Sequence, residues 1–168
     1  MPADNPFKGV EIDYKAKPTA AATLDQLHAF VTKADEFGRP SLGTAAMIAF
    51  FWLQREEDIF MRFAWSHYRP AEAPDFVRIW HHKTGETVDM PLDDEDGTPL
   101  WPELVERLDA ATRVGTLIVM RDNVDRLKGV HLPWATESSK PLRHASREIA
   151  RIRKAAGLLT LPPDCPRS

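Results

Sequence analysis

The sequence predicts an α+β fold that is mainly helical and carries a small antiparallel β-sheet. Three observations lead to this prediction. Apolar residues recur at helical spacing early in the chain and again near its end, which is typical of amphipathic helices. Residues 42–53 are apolar nearly all round, as expected of a helix buried in the centre of a domain. Two β-rich runs surround Gly85, the pattern of a β-hairpin.

The composition is that of one globular domain. The 168 residues are 43% hydrophobic and 28% charged, which excludes a disordered chain. No apolar run reaches the roughly 18 residues of a membrane span, and the amino terminus lacks a secretion signal, so we expect a cytoplasmic protein with no membrane partner. The single cysteine, Cys165, rules out an internal disulfide and a cysteine-based zinc site. Since the histidines lack metal-ligand spacing and no glycine-rich phosphate loop is present, we predict no metal, no cofactor and no small-molecule substrate.

The chain divides into three segments. Residues 1–20 contain three prolines and no sustained periodicity, which predicts an arm or interdomain linker. Residues 21–160 hold the periodic segments and are predicted to form the domain. Residues 161–168 are a proline-rich tail.

The first two helices have clear boundaries in the sequence. The spacing of Thr23 and Gln26 is that of a capping box, so a helix is predicted to begin there and to end near Gly38. A second, buried helix is predicted to begin after Pro40 and to run to Leu53.

Charged residues 54–58 interrupt this apolar run abruptly. Asp58 lies three residues after Arg55 and is placed to pair with it across one helical turn. A helix that simply emerges into solvent would show the same pattern, and both interpretations remain open at this point.

The middle of the chain is predicted to be largely β-structure. Residues 65–68 are predicted as a short strand. Residues 76–81 and 86–90 are predicted as the two strands of the hairpin, with Lys83 at its tip. Another helix is predicted to begin at Pro102.

The last part of the chain differs from the rest in charge. Residues 1–120 carry a balance of −8 and residues 121–168 a balance of +5, although the total is only −3. Residues 121–140 are predicted to be loop-rich, and a helix is predicted from Pro141 to Gly157. One face of this helix carries four cations at helical spacing, here called the basic stripe: Arg143, Arg147, Arg151 and Lys154. Such a stripe favours contact with a phosphate backbone, although a solvated helix face would look alike.

The order of these motifs resembles the catalytic domain of tyrosine recombinases, the phage-type integrases. The matching segments are residues 45–59, 65–68, 77–86 with Pro91 and Leu92, and 151–158. The resemblance covers roughly residues 21–160, which would be a partial integrase catalytic domain. It implies a mainly helical fold with a small sheet, cleavage and rejoining of DNA during integration, and double-stranded DNA and other recombinase protomers as partners.

The resemblance also implies roles for individual residues. Arg55 matches the first catalytic arginine, which clamps the scissile phosphate, and Asp58 matches the acidic residue that supports it. Lys83 matches the hairpin lysine that serves as general acid toward the leaving 5′-hydroxyl. The basic stripe would lie near the DNA backbone.

The sequence departs from the family pattern in two respects. Leu53-Gln54-Arg55 replaces the common Thr-Gly-x-Arg. The His-x-x-Arg motif, a further His or Trp, and the nucleophilic tyrosine do not follow Gly157, and the two tyrosines present, Tyr14 and Tyr68, do not occupy the nucleophile's place. We therefore expect that the chain alone does not recombine DNA, and a truncation or frameshift is our hypothesis for its origin.

Two other functions remain open from the sequence. A non-catalytic remnant could occupy DNA, or pair with an intact recombinase, without doing chemistry. An unrelated α+β interaction domain is the third alternative, and it predicts no DNA affinity even at about 50 mM salt, where electrostatic binding is strong.

Overall fold

The computed structural model describes residues 21–81, 85–136 and 140–158. The predicted arm, the proline-rich tail and Lys83 lie outside these residues. The described elements are α1 (Leu24–Glu36), α2 (Pro40–Phe51), α3 (Glu56–Met61), a 3₁₀-helix (Trp65–His67), β1 (Phe76–His81), β2 (Glu86–Pro91), α4 (Pro102–Asp109), β3 (Met120–Val124), β4 (His131–Pro133) and α5 (Arg143–Ala155). The α+β class is confirmed, with two small antiparallel sheets where one was predicted. No helix in the described part of the chain is both long and apolar enough to span a membrane.

The first two helices build the centre of the core as predicted. Thr23 caps α1, because its Oγ1 accepts a hydrogen bond from Gln26 N at 3.3 Å while Gln26 Oε1 accepts one from Thr23 N at 3.1 Å. α2 packs along α1 and buries Leu42 and Ile48 completely. It ends at Phe51, two residues before the predicted end, because the backbone of Leu53 turns into the left-handed region.

The predicted strand at residues 65–68 is wrong. This segment is a 3₁₀-helix, in which His67 N donates to Ala64 O and Tyr68 N donates to Trp65 O. Trp65 and Tyr68 are both buried although they are three residues apart. Residues i and i+3 share a face in a 3₁₀-helix but point to opposite faces of a strand, so burial of both rings favours the helix.

The predicted hairpin is confirmed in its two strands. β1 pairs with β2 antiparallel, from Phe76 opposite Pro91 to His81 opposite Glu86. Val77 faces the core and is fully buried, whereas β2 is largely exposed. The hairpin therefore stands on the domain surface with only one strand anchored in the core.

Residues 121–140, predicted as loop-rich, contain a second hairpin. β3 and β4 pair antiparallel with an irregular register. The turn is closed by Asp125, whose Oδ1 accepts hydrogen bonds from Leu127 N at 3.0 Å and Lys128 N at 2.9 Å, and by Gly129 at φ 66°. Short polar strands show little alternation of apolar residues, so in the sequence only turn residues such as Asp125 and Gly129 indicate this hairpin.

Candidate functional site

Arg55 stands at the start of α3. Its backbone is extended (φ −72°, ψ 148°) and its carbonyl accepts the first helical hydrogen bond, from Ile59 N at 3.0 Å. Three acidic residues follow it in the first turn, which favours a helix amino terminus there. The Arg55 side chain is exposed and forms no ion pair with any described residue. Its guanidinium is thus available to an external anion.

The turn before Arg55 has an unusual backbone. Leu53 adopts a left-handed conformation (φ 52°) and its side chain is 82% exposed. Gln54 Nε2 donates to Trp52 O at 2.6 Å and closes the turn. Leu53 occupies the position of the glycine in the Thr-Gly-x-Arg pattern. The turn keeps the positive φ that glycine adopts readily, and a leucine in this conformation is strained by about 1–2 kcal/mol.

Asp58 pairs with a different arginine from the one that spacing suggested. Arg62 Nη1 donates to Asp58 Oδ1 at 2.9 Å, one helical turn later, whereas no ion pair joins Asp58 to Arg55. The extended backbone of Arg55 places its side chain outside the helix, which is why the predicted pairing fails. Asp58 is only 9% exposed, so this ion pair is partly buried and stabilises α3.

A small cleft joins α3 to the end of β1. It is lined by Gln54, Asp58, Arg62, Phe63, His67 and Trp80. His67 Nδ1 accepts a hydrogen bond from Ala64 N at 3.3 Å, so the ring is held as the neutral tautomer with its proton on Nε2. Burial lowers the pKa of His67, and the positive charge of Arg78 lowers it further. Arg62 and His67 belong to this cleft although the sequence assigned neither of them a role.

Ion pairs on its exposed face stabilise the hairpin formed by β1 and β2. Arg78 on β1 donates to both carboxylate oxygens of Asp89 on β2, each at 2.8 Å, and also to Glu72. These contacts raise the pKa of Arg78 and lower that of Asp89, because each charge stabilises the other. Lys83 itself lies outside the described residues, so its predicted role stays a prediction.

The basic stripe lies on the outer face of α5. Its four side chains are exposed, while Ala145 and Ile152 on the opposite face are fully buried. Arg151 contacts Glu148 at 3.9 Å and stacks over the ring of Phe37, with 5.1 Å from its guanidinium carbon to the ring centroid. The other three cations form no ion pair with any described residue.

An apolar cavity of about 700 Å³ lies between the start of α3 and the end of α5. Leu53 and Glu56 line it on the α3 side, and Ile149 and Arg153 line it on the α5 side. Arg55 is thus held one residue from a surface that α5 also forms. The cavity wall between them is mostly apolar and includes Phe30, Ala49 and Phe50.

Tyr68 is poorly suited to act as a nucleophile. The residue is 1% exposed and its hydroxyl donates to Asp109 Oδ1 at 2.8 Å. Burial raises the pKa of Tyr68 to about 12. Across the part of the chain that the structure describes, no group of three or more His, Cys, Asp or Glu side chains could hold a metal ion.

Comparison with sequences and with structures gives different answers. No protein-family model matches the chain, and no curated protein sequence matches it. Solved structures do match. A lambda integrase tetramer bound to a Holliday junction is 22% identical with a TM-score of 0.55, over 90% of this chain and 38% of the integrase.

Two lambda integrase dimers bound to a COC′ core site are similarly close. They are 22% and 23% identical, both with a TM-score of 0.53 and 86% of this chain covered, but only 46% and 36% of their own chains. The chain therefore has a fold similar to that of part of lambda integrase, and it spans less than half the length of the integrases that it matches.

Proposed function

We propose that this chain is part of the catalytic domain of a tyrosine-type site-specific recombinase and that it binds double-stranded DNA. The observation that carries the proposal is the exposed Arg55, without an ion pair among the described residues, in a fold shared with lambda integrase. A guanidinium without a carboxylate partner suits a phosphate, which it can bind through two parallel hydrogen bonds. The exposed basic stripe supports contact with the flanking DNA backbone.

In the proposed mechanism Arg55 binds the non-bridging oxygens of the scissile phosphate, where negative charge accumulates in the transition state. The ion pair of Asp58 and Arg62 holds the first turn of α3 and so positions Arg55. Lys83 donates a proton to the 5′-oxygen as the phosphorus–oxygen bond to it breaks. A tyrosine oxygen forms the new bond to phosphorus, which gives a phosphotyrosine intermediate.

We further propose that this chain does not supply that tyrosine. Tyr68 is buried and hydrogen-bonded to Asp109, and the only other tyrosine in the sequence, Tyr14, precedes the described residues. The chain alone would then bind DNA without cleaving it. A suicide substrate that traps covalent intermediates is expected to give no protein–DNA adduct with the full chain. An adduct that disappears in Tyr14→Phe or Tyr68→Phe would overturn this part of the proposal.

Binding to DNA is tested with a duplex oligonucleotide over a series of salt concentrations. We expect Arg55→Gln to lower the affinity by roughly three- to ten-fold, since one phosphate contact is lost. The matched control is Lys33→Gln, because Lys33 already pairs with Glu36 on α1. Absence of DNA binding at about 50 mM salt would rule out the proposed function and favour an unrelated interaction domain.

A non-catalytic module that pairs with an intact recombinase is the second candidate. The apolar cavity between α1, α2, α3 and α5 favours it, because contiguous apolar surface that is open to solvent marks sites of protein contact. Ala49 is exposed and lines this cavity, so Ala49→Glu is expected to abolish association while leaving DNA binding intact. Analytical ultracentrifugation of the chain, alone and mixed with an intact recombinase, makes the test.

A further inference from the structure

A second cavity, of about 640 Å³, lies between α5 and the β3–β4 hairpin. Its cationic and aromatic lining consists of Arg39, Arg121, Arg126, Arg147, His144 and Trp134. Three acidic residues also line it: Asp122, Asp125 and Glu148. The net charge alone therefore does not show whether an anion would bind there, and the contacts of each group decide the matter.

The three carboxylates are already engaged within the protein. Asp122 accepts hydrogen bonds from Ser41 N at 2.9 Å and Ser41 Oγ at 2.7 Å. Asp125 closes the hairpin turn by accepting two backbone N–H groups. Glu148 pairs with Arg39 at 3.4 Å. Each acid thus already has at least one partner within the protein.

Three of the arginines that line the cavity have no ion-pair partner among the described residues: Arg121, Arg126 and Arg147. Arg121 lies over the ring of Trp134, 6.0 Å from its centroid, and its buried Nε has no hydrogen-bond partner in the described part of the chain. A buried N–H without an acceptor destabilises the fold, so Arg121 has hydrogen-bonding capacity that the described residues do not use.

We propose that this cavity binds the phosphate backbone of duplex DNA through Arg121, Arg126 and Arg147, so that the β3–β4 hairpin is a second DNA-contacting element beside α5. The inference rests on the proposed DNA-binding function. Arg147 belongs to both the basic stripe and the cavity, so the two surfaces are continuous. That continuity favours a polyanion that runs from α5 to the hairpin over an isolated acidic peptide.

The hairpin is built to present its cation in a fixed place. Asp125 and Gly129 close the turn, and Arg126 follows directly after Asp125. Because the turn is closed by its own hydrogen bonds, little backbone entropy is lost when Arg126 binds a phosphate. Leu127 at the tip is 97% exposed, so the hairpin end is not packed against any described part of the domain.

The chain offers a matched pair of variants for the test. Arg126 and Lys128 are both exposed cations of the same turn, but only Arg126 lines the cavity. The full chain is titrated with a duplex oligonucleotide over a salt series. Arg126→Gln is expected to lower the affinity by three- to ten-fold and to reduce the slope of log K against log salt by about 0.9, while Lys128→Gln changes the affinity by less than two-fold.

The outcomes separate this inference from the proposed function. If the wild-type chain binds DNA and stripe variants weaken it but Arg126→Gln does not, the cavity proposal is overturned and the DNA-binding function stands. Equal losses for Arg126→Gln and Lys128→Gln would also overturn it, because they would indicate unspecific attraction. If the wild-type chain binds no DNA, both fall. A further outcome would assign the cavity to a protein partner. In that case Arg126→Gln leaves DNA binding unchanged, and an acidic peptide competes with DNA for the wild type but not for this variant.

Discussion

The corner between α2 and α3 and the outer face of α5 both present arginines to solvent, but they are built in different ways. At the corner, a strained left-handed Leu53, a side-chain hydrogen bond from Gln54 and the buried carboxylate of Asp58 surround one exposed arginine, Arg55. The face of α5 is part of a regular helix, with four cations three or four residues apart and a buried opposite side. The corner thus depends on local geometry, whereas the basic stripe depends on the number of charges.

The largest effect is expected from removing the stripe as a whole. The variant with all four stripe cations changed to glutamine is expected to lose about 10²- to 10⁴-fold in DNA affinity, since each phosphate contact contributes roughly a factor of three to ten at moderate salt. The single losses should add, because exposed groups on successive turns do not share partners. Titrations of a duplex at several salt concentrations measure both quantities. A single stripe substitution that removes most of the affinity would contradict the contrast between the two regions.

At the corner the losses should not add. Arg55→Gln alone is expected to weaken DNA binding, and Asp58→Ala is expected to remove most of the same contribution, because the helical turn that positions Arg55 loses its tie to Arg62. The double variant should therefore bind about as well as either single variant, and within roughly ten-fold of wild type.

Stability gives a second measure of the corner. Asp58→Ala is expected to cost about 1 kcal/mol in the free energy of unfolding, which is modest because the Arg62 side chain is one-third exposed. Glu57→Ala, an exposed acid in the same turn, is the control and should change stability by less than about 0.5 kcal/mol. Chemical unfolding monitored by tryptophan fluorescence supplies both values.

The DNA-binding measurement has its own contradicting outcome. If the losses of Arg55→Gln and Asp58→Ala add fully in the double variant, Asp58 does not position Arg55.

These regions also differ in how much of them could be predicted from the sequence. The basic stripe follows from helical periodicity alone, and the structure places all four side chains on one exposed face. The corner could be located by the abrupt change from apolar to charged residues, but the partner of Asp58 could not. Helical spacing allows i−3 and i+4 equally, and the choice of Arg62 depends on Arg55 lying outside the helix.

The remaining differences have the same kind of cause. The strand predicted at residues 65–68 is a 3₁₀-helix in the structure, because burial of two rings three residues apart favours a helical turn. The second hairpin was missed because its strands are short and polar, and with it the cavity beside α5. Local sequence shows propensity, whereas these features depend on contacts between distant segments.

The left-handed turn at the corner gives a smaller and opposite effect. Leu53→Gly is expected to stabilise the chain by about 1 kcal/mol, since glycine adopts positive φ without strain and the leucine side chain is exposed. Thermal unfolding should show an increase in Tm of about 3 °C. The control is Leu127→Gly, an exposed leucine without a positive φ, which should bring no gain. A loss of stability in Leu53→Gly would show that the turn is not strained by its side chain.

The smallest effect concerns the cleft between α3 and β1. In the folded chain, burial and the nearby Arg78 lower the pKa of His67, whereas in the unfolded chain His67 binds a proton below its ordinary pKa of about 6.5. The unfolded state then binds more protons, so the free energy of unfolding should fall as pH decreases below about 6.5. His67→Gln should flatten this part of the pH profile, measured by chemical unfolding between about pH 5 and 7.

The exposed His144 on α5 supplies the comparison for that profile. His144→Gln is the control for the loss of an exposed imidazole outside the cleft. If both substitutions flatten the profile equally, the cleft has no special hold on His67. If only His67→Gln does so, burial of the ring and the charge of Arg78 lower the pKa of His67 in the folded chain. The cleft beside the corner would then control protonation, while α5 supplies charge alone.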